Sequence, residues 1–145
     1  MAIREVIFRG KRKDNGEWIE NHTVVELRDG QKYIPNNSAP SGLKINENGN
    51  IVSFVALFHE VLPSTVGQYT GFTDKNGRKI FEGDIVIYGD TIHEVVFEKR
   101  NTTAYFGLVY SEIETMPFGH YQDLNHIEVI GNIHDNPESL EGDAK

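Results

Sequence analysis

The chain has 145 residues, 38% of them hydrophobic and 10% aromatic, enough for a real core, since a domain of this length hides roughly 68–70% of its unfolded surface. It contains no cysteine, which removes disulfides, thiol catalysis and thiolate metal sites and fits a reducing compartment. The net charge of −8 belongs to the last third: residues 1–100 carry 13 basic and 14 acidic side chains, whereas residues 101–145 set Lys145 against eight acids.

No run approaches the ~20 apolar residues of a membrane helix, and the first six residues lack the apolar core of a secretory signal. A cytoplasmic protein is therefore expected. Asn21-His22-Thr23 and Asn101-Thr102-Thr103 fit the glycosylation pattern, but without an export signal they read as chance matches.

From the N-terminus, residues 3–9 alternate β-compatible side chains, and Asp14-Asn15-Gly16 gives a turn before Trp18-Ile19. Residues 22–27 and 31–34 flank Asp29-Gly30 and read as a second hairpin. Residues 35–42 have turn chemistry throughout. Residues 43–45 and 51–57 repeat the pattern around Asn48-Gly49. Residues 51–62 are apolar too continuously to show a period, so a strand and a short helix both stand. Pro63-Ser64-Thr65 breaks that run. It divides an N-terminal hairpin-rich lobe, residues 1–62, from a C-terminal lobe, residues 63–134.

The C-terminal lobe is organised around a hairpin. Two apolar-rich arms, residues 68–73 and 80–88, are joined by Asp74-Lys75-Asn76-Gly77, and Asn-Gly between β-type runs is the strongest short hairpin signal. Glu82-Gly83-Asp84 allows a bend on entry to Ile85-Val86-Ile87. Further strands are expected at residues 92–97, 104–110 and 127–133, with residues 111–125 irregular. Residues 135–145 are acidic and small, and read as a frayed tail with at most one helical turn. The fold class is mainly β with at most minor helix, and about five short strands in the second lobe suggest a small SH3-like barrel.

These residues also carry a resemblance. Val66-Gly-Gln-Tyr-Thr-Gly71, Asp74-Lys-Asn-Gly77 and Ile80-Phe-Glu-Gly-Asp-Ile-Val86 resemble the signature of the YopX family of phage and prophage proteins. Ile130-Gly-Asn-Ile133 with Asn136-Pro-Glu138 is similar to the family's closing motif. The resemblance implies a phage or prophage origin, and brings no assigned activity with it.

Chemistry is sparse. His120, Asp123 and His126 are the tightest possible metal group, but their spacing fits neither a helical ligand pair nor a rigid three-ligand site. His59-Glu60 and His93-Glu94 begin like the zinc-protease motif, yet Pro63 and Phe97 stand where the second histidine belongs. No nucleophile elbow, phosphate loop or dinucleotide fingerprint is present. Glu112 and Glu114, two apart on a strand, read as a solvated face. No cofactor, metal or catalytic residue is expected.

Binding fits better. Gln68, Tyr69, Thr70, Asp74 and Asp84 are candidates to line a groove for a protein partner, against the plainer reading that the whole signature defines a hairpin. A nucleic-acid surface is the alternative. Arg9, Lys11, Arg12 and Lys13 cluster near one turn, Lys75, Arg78 and Lys79 flank another, and Lys99-Arg100 end a strand, with Phe8, Trp18, Tyr69 and Phe72 available for stacking. A sequence pI of 5.2 opposes it, because the long-range field repels polyanions. The expected protein is a non-catalytic protein-binding or assembly module, a homo-oligomer through exposed strand edges, with a nucleic-acid module second and a hydrolase third.

Overall fold

A computed structural model describes residues 5–35, 46–49, 58–100, 102–111, 114–118 and 124–141. Among them are twelve β-strands and three short 3-10 turns, so the protein is mainly β, as the turn chemistry predicts. All strand pairing is antiparallel. Among the described residues no helix is long and apolar enough to cross a membrane. The described residues divide into two compact units, Glu5–Gln68 and one from Tyr69 onward. The division falls inside a strand, just past the Pro63–Thr65 break.

In the unit Glu5–Gln68, β1 (Phe8–Lys11) pairs with β2 (Trp18–Asn21) through the Asn15-Gly16 turn. The Asp29-Gly30 hairpin is also present, as β3 (Val25–Glu26) and β4 (Lys32–Pro35). β5 (Phe58–Val61) adds to β4, so that part of the apolar run is strand. Residues 43–45 and 51–57 lie outside the described residues.

The two sheets of this unit are stitched where β1 meets β5. Arg12 bridges Val61, and the Leu62 N–H donates to the Lys11 carbonyl at 2.9 Å. Thr65 in the 3-10 turn Pro63–Thr65 accepts the Lys11 N–H at 2.9 Å. Ile34 and Val61 are fully buried. Gly10 is there because they come so close: a Cβ on it would lie 3.0 Å from Val61 Cβ and 3.2 Å from Ile34 Cδ1.

β6 (Gly67–Thr73) carries the chain from one unit into the other; Gly67 and Gln68 pair with β1. In the unit from Tyr69 onward, β6 continues against β7 (Lys79–Phe81), with a register shift between Tyr69 and Thr73. The stretch 80–88 is two strands, because a tight turn at Glu82-Gly83 separates β7 from β8 (Asp84–Tyr88). β9 (Thr91–Arg100), β10 (Thr103–Ser111), β11 (Glu114–Pro117) and β12 (Ile127–Asn132) follow. They form a five-stranded sheet in the order β11-β10-β9-β8-β12. β11 is a correction to the irregular stretch expected there, and its pairing with β10 explains it. The tail forms one 3-10 turn, Pro137–Leu140.

The core of this unit is Ile80, Val86, Val95, Leu108, Ile127 and Val129, with Tyr88, Phe118 and Leu124 packed against it. β12 is last in sequence yet lies beside β8, and one residue fixes its outer side. Asp74, only 6% exposed, opens the β6–β7 turn. Its Oδ1 accepts the N–H groups of Asn76 and Arg78, both at 2.9 Å, and its Oδ2 accepts the Val129 N–H at 2.9 Å. The Lys75 N–H donates to the Ile127 carbonyl beside it, and Gly77 completes the reversal at φ 80°. Burial alone would raise the Asp74 carboxyl. The three N–H donors and the nearby Arg78 charge outweigh it and hold the group below the usual carboxylate range.

Two outcomes are expected from chemical unfolding. Asp74→Ala should cost about 3 kcal/mol, because three N–H groups lose a charged acceptor, and Asp74→Asn should cost less. The folded-state value is depressed, so Asp74 stabilises fully above its unfolded value of about 4, and this contribution is lost as pH falls through the lower folded value. Asp74→Ala should flatten that acid limb. Gly10→Ala should cost about 1–3 kcal/mol by overpacking, and Val61→Ala in that background should cost less than it does alone. Additive costs would show that the close approach at Gly10 is not what constrains the site.

Candidate functional site

The polar residues of the signature are turned inward. Thr70 is buried, donates its hydroxyl to the Ile80 carbonyl at 2.8 Å and accepts the Phe72 N–H at 3.2 Å. Asp84 is fully buried and its Oδ2 accepts the Phe81 N–H at 2.8 Å, which closes the Glu82-Gly83 turn. Tyr69 is buried with its ring centroid 5.7 Å from that of Phe81. Gln68 is half-buried opposite Phe8. Of the five candidate groove residues, Tyr69, Thr70, Asp74 and Asp84 are therefore interior, and their spacing reflects how the hairpin is closed.

The candidate phosphate contacts are largely matched by acids or rings within their own units. Arg9 is buried with its guanidinium 4.8 Å from the Trp18 ring centroid. Arg12 makes two bonds to Asp14, at 3.0 and 2.6 Å. That pair raises the arginine and lowers the carboxyl, although it lies in solvent. Lys13 reaches Glu60 at 3.3 Å, and the Lys11 backbone is engaged at both N–H and carbonyl. In the other unit Lys75 pairs with Glu128 at 3.2 Å, Lys79 lies 6.0 Å from the Tyr69 ring centroid, and the Arg78 charge faces Asp74. Arg12, Lys13 and Lys75, each paired with an acid, have little field left to draw a polyanion.

Among the described residues no three histidine, aspartate or glutamate side chains are arranged to hold a metal ion. His120, Asp123 and Glu112 lie outside the described residues. His93 is buried: its Nδ1–H donates to the Val109 carbonyl at 2.9 Å, its Nε2 lies 2.7 Å from Thr91 Oγ1, and its ring stacks 4.3 Å from Tyr110. These contacts orient a core imidazole. Open grooves among the described residues include one of about 470 Å³ along Lys13, Tyr33, Phe58 and His59, and one of about 510 Å³ along Lys75, Tyr88, His126 and Glu128. Each mixes charges already paired with one another.

The five-stranded sheet carries a two-stranded β-ribbon. β8 pairs with β9 only as far as Glu94, and β11 pairs with β10 only from Gly107 onward. Beyond those points, among the described residues, β9 and β10 have only each other as strand partners, with Phe106 opposite Phe97. Phe97 is 45% exposed, and its ring centroid is 5.0 Å from that of Phe106. The Phe118 N–H donates to the Phe106 carbonyl at 3.1 Å, and the Phe118 ring stacks 5.6 Å from Phe72, itself 38% exposed. Two phenylalanine pairs, linked by that backbone bond, thus lie between the ribbon and the signature hairpin.

Phe97, Phe106 and Phe118 were not singled out by their sequence context. The structure extends β9 to ten residues and β10 to nine, beyond the expected 92–97 and 104–110 and against five in β8 and four in β11. A longer central pair must overhang its neighbours.

Comparison with known proteins adds identity rather than activity. None of the curated proteins matches the chain. It is similar to the crystal structure of protein EF1440 from Enterococcus faecalis, with 24% identity, 93% of this chain and 97% of that chain covered, and a TM-score of 0.49. The family model described as YopX protein matches residues 7–141, nearly the whole length, and the chain belongs to the YopX family.

Proposed function

We propose that this chain is a phage- or prophage-encoded accessory protein of the host cytosol that works by binding other proteins, without catalysis, and that it associates with copies of itself. In this reading the strands from Tyr69 onward serve as an SH3-like scaffold, and the ribbon they carry makes the contact. The observation that carries the proposal is the exposed Phe97 on a two-stranded overhang, since aromatic anchors on exposed strand edges are a recurrent protein-binding device. The inward direction of Thr70, Asp74 and Asp84 supports it from the other side, because groups that hold the hairpin are not free to act on a substrate. The pairing of Arg12, Lys13 and Lys75 with acids favours protein over nucleic acid.

Capture from induced or infected host cells tests the reading. The wild-type chain should retain a protein that Phe97→Ser loses while keeping its fold, and mobility-shift assays with single-stranded DNA should show no shift at either low or high salt. A shift that weakens steeply on adding salt would replace the proposal with a nucleic-acid module, since phosphate contacts carry that dependence.

A further inference from the structure

The hydrogen bonds around His93 call for one more proton than a neutral imidazole supplies. Its Nδ1 faces the Val109 carbonyl at 2.9 Å, its Nε2 lies 2.7 Å from Thr91 Oγ1, and Thr91 Oγ1 lies 2.9 Å from the Tyr88 carbonyl. The carbonyls at the two ends accept and cannot donate, so this chain of three bonds holds only with a proton in each. The Thr91 hydroxyl brings one and a neutral imidazole brings one, which fills two of the three. An imidazolium brings two, and with the hydroxyl every bond is made.

The shortage falls on Thr91, whose hydroxyl rotates freely to suit its partners. Beside a neutral ring it has to choose between Nε2 and the Tyr88 carbonyl. His93 is only 5% exposed, and a buried acceptor without a donor carries its full desolvation cost. Thr91 is exposed at the end of the hairpin, where water is at hand for the carbonyl. The hydroxyl therefore turns to the ring. Tyr88 and Thr91 are the pair that closes β8 onto β9 across Gly89-Asp90, with Gly89 at φ 63°, so the bond given up is one that ties this turn.

We propose that His93 and Thr91 form a proton-sensitive latch on the β8–β9 turn. With the imidazole charged, Nε2–H donates to Thr91 and the Thr91 hydroxyl donates to the Tyr88 carbonyl, which ties the turn to a core residue. With the imidazole neutral, the hydroxyl donates to Nε2 and the side-chain bond to the turn is released.

Other titratable groups surround the latch. The pairing of Val86 with His93 and the alternation of side chains put Asp84 and Tyr88 of β8 on the same face, and Tyr110 of β10 stacks on the ring. Glu94 points to the opposite face beside Ile85, and burial raises its carboxyl. Glu138 belongs to the 3-10 turn that packs on β9. Asp90 is in the β8–β9 turn itself, and His126 lines a groove with Tyr88 and Gly89. Glu94, next to His93 in the strand, and His126, next to the turn, are the groups to control for.

Carbon-13 NMR of the full chain over about pH 5–8, the range in which histidines change charge, tests the latch. The His93 ring and the Tyr88 carbonyl carbon should move together with one midpoint. Thr91→Val keeps the shape of an exposed side chain and removes its hydroxyl, and should abolish the carbonyl movement, whereas Thr91→Ser should retain it. Thermal unfolding checks that both variants fold, and if Thr91→Val does not, Thr91→Ala at the same position decides. Glu94→Gln and His126→Gln should leave the movement intact. A Tyr88 carbonyl that does not follow the His93 ring, that still follows it without the Thr91 hydroxyl, or that stops following in Glu94→Gln or His126→Gln would overturn the latch. A His93 ring that stays in one state throughout would overturn it as well.

Discussion

One buried carboxylate ties the C-terminal unit together. Asp74 accepts N–H groups from Asn76 and Arg78 in its own turn and from Val129, 55 residues further on. Hydrogen bonds to a charged group contribute about 1.5–3 kcal/mol each, more than neutral ones. The local pair shapes the turn, and the distant bond sets where β12 ends up. β12 then lies between that turn and β8, over a core to which β7, β8, β9, β10 and β12 all contribute.

This arrangement explains why a polar signature can be poor in chemistry. Asp84 does for the Glu82-Gly83 turn what Asp74 does for its own, and Thr70 spans β6 and β7. Each is a buried polar group whose desolvation must be offset by hydrogen bonds, and each spends its acceptors on backbone N–H groups or its hydroxyl on a carbonyl. The basic turn residues follow the same economy at the surface, where Arg12, Lys13 and Lys75 meet Asp14, Glu60 and Glu128. Exposed ion pairs of this kind add little stability. Their consequence here is electrostatic, because they cancel the local fields that a basic cluster would otherwise project.

Among the described residues the most exposed large hydrophobic side chain, Phe97, lies on the ribbon. A two-stranded hairpin is marginal by itself in water. The Phe97–Phe106 pair gives this one internal support of about 0.5–1.5 kcal/mol, a range typical of aromatic pairs, while the base is held at Val95 by Gly83 and at Phe106 by Phe118. Anchored at its base, the ribbon leaves Phe97 and Lys99 exposed.

Residues close together in the sequence settled the turns. Asn15-Gly16, Asp29-Gly30 and Asn76-Gly77 mark reversals because left-handed backbone at the glycine and a side-chain acceptor just before it are local requirements. The mainly β class and the absence of thiol chemistry followed from the same level. Three things depended on the folded chain: that Tyr69, Thr70, Asp74 and Asp84 face inward, that β12 returns beside β8, and that β9 and β10 outrun their neighbours. The reason is that burial and register are properties of which strands meet. An aspartate reads the same in a sequence whether its partner is water or the N–H of a residue 55 positions away, and only the meeting of strands distant along the chain decides between them.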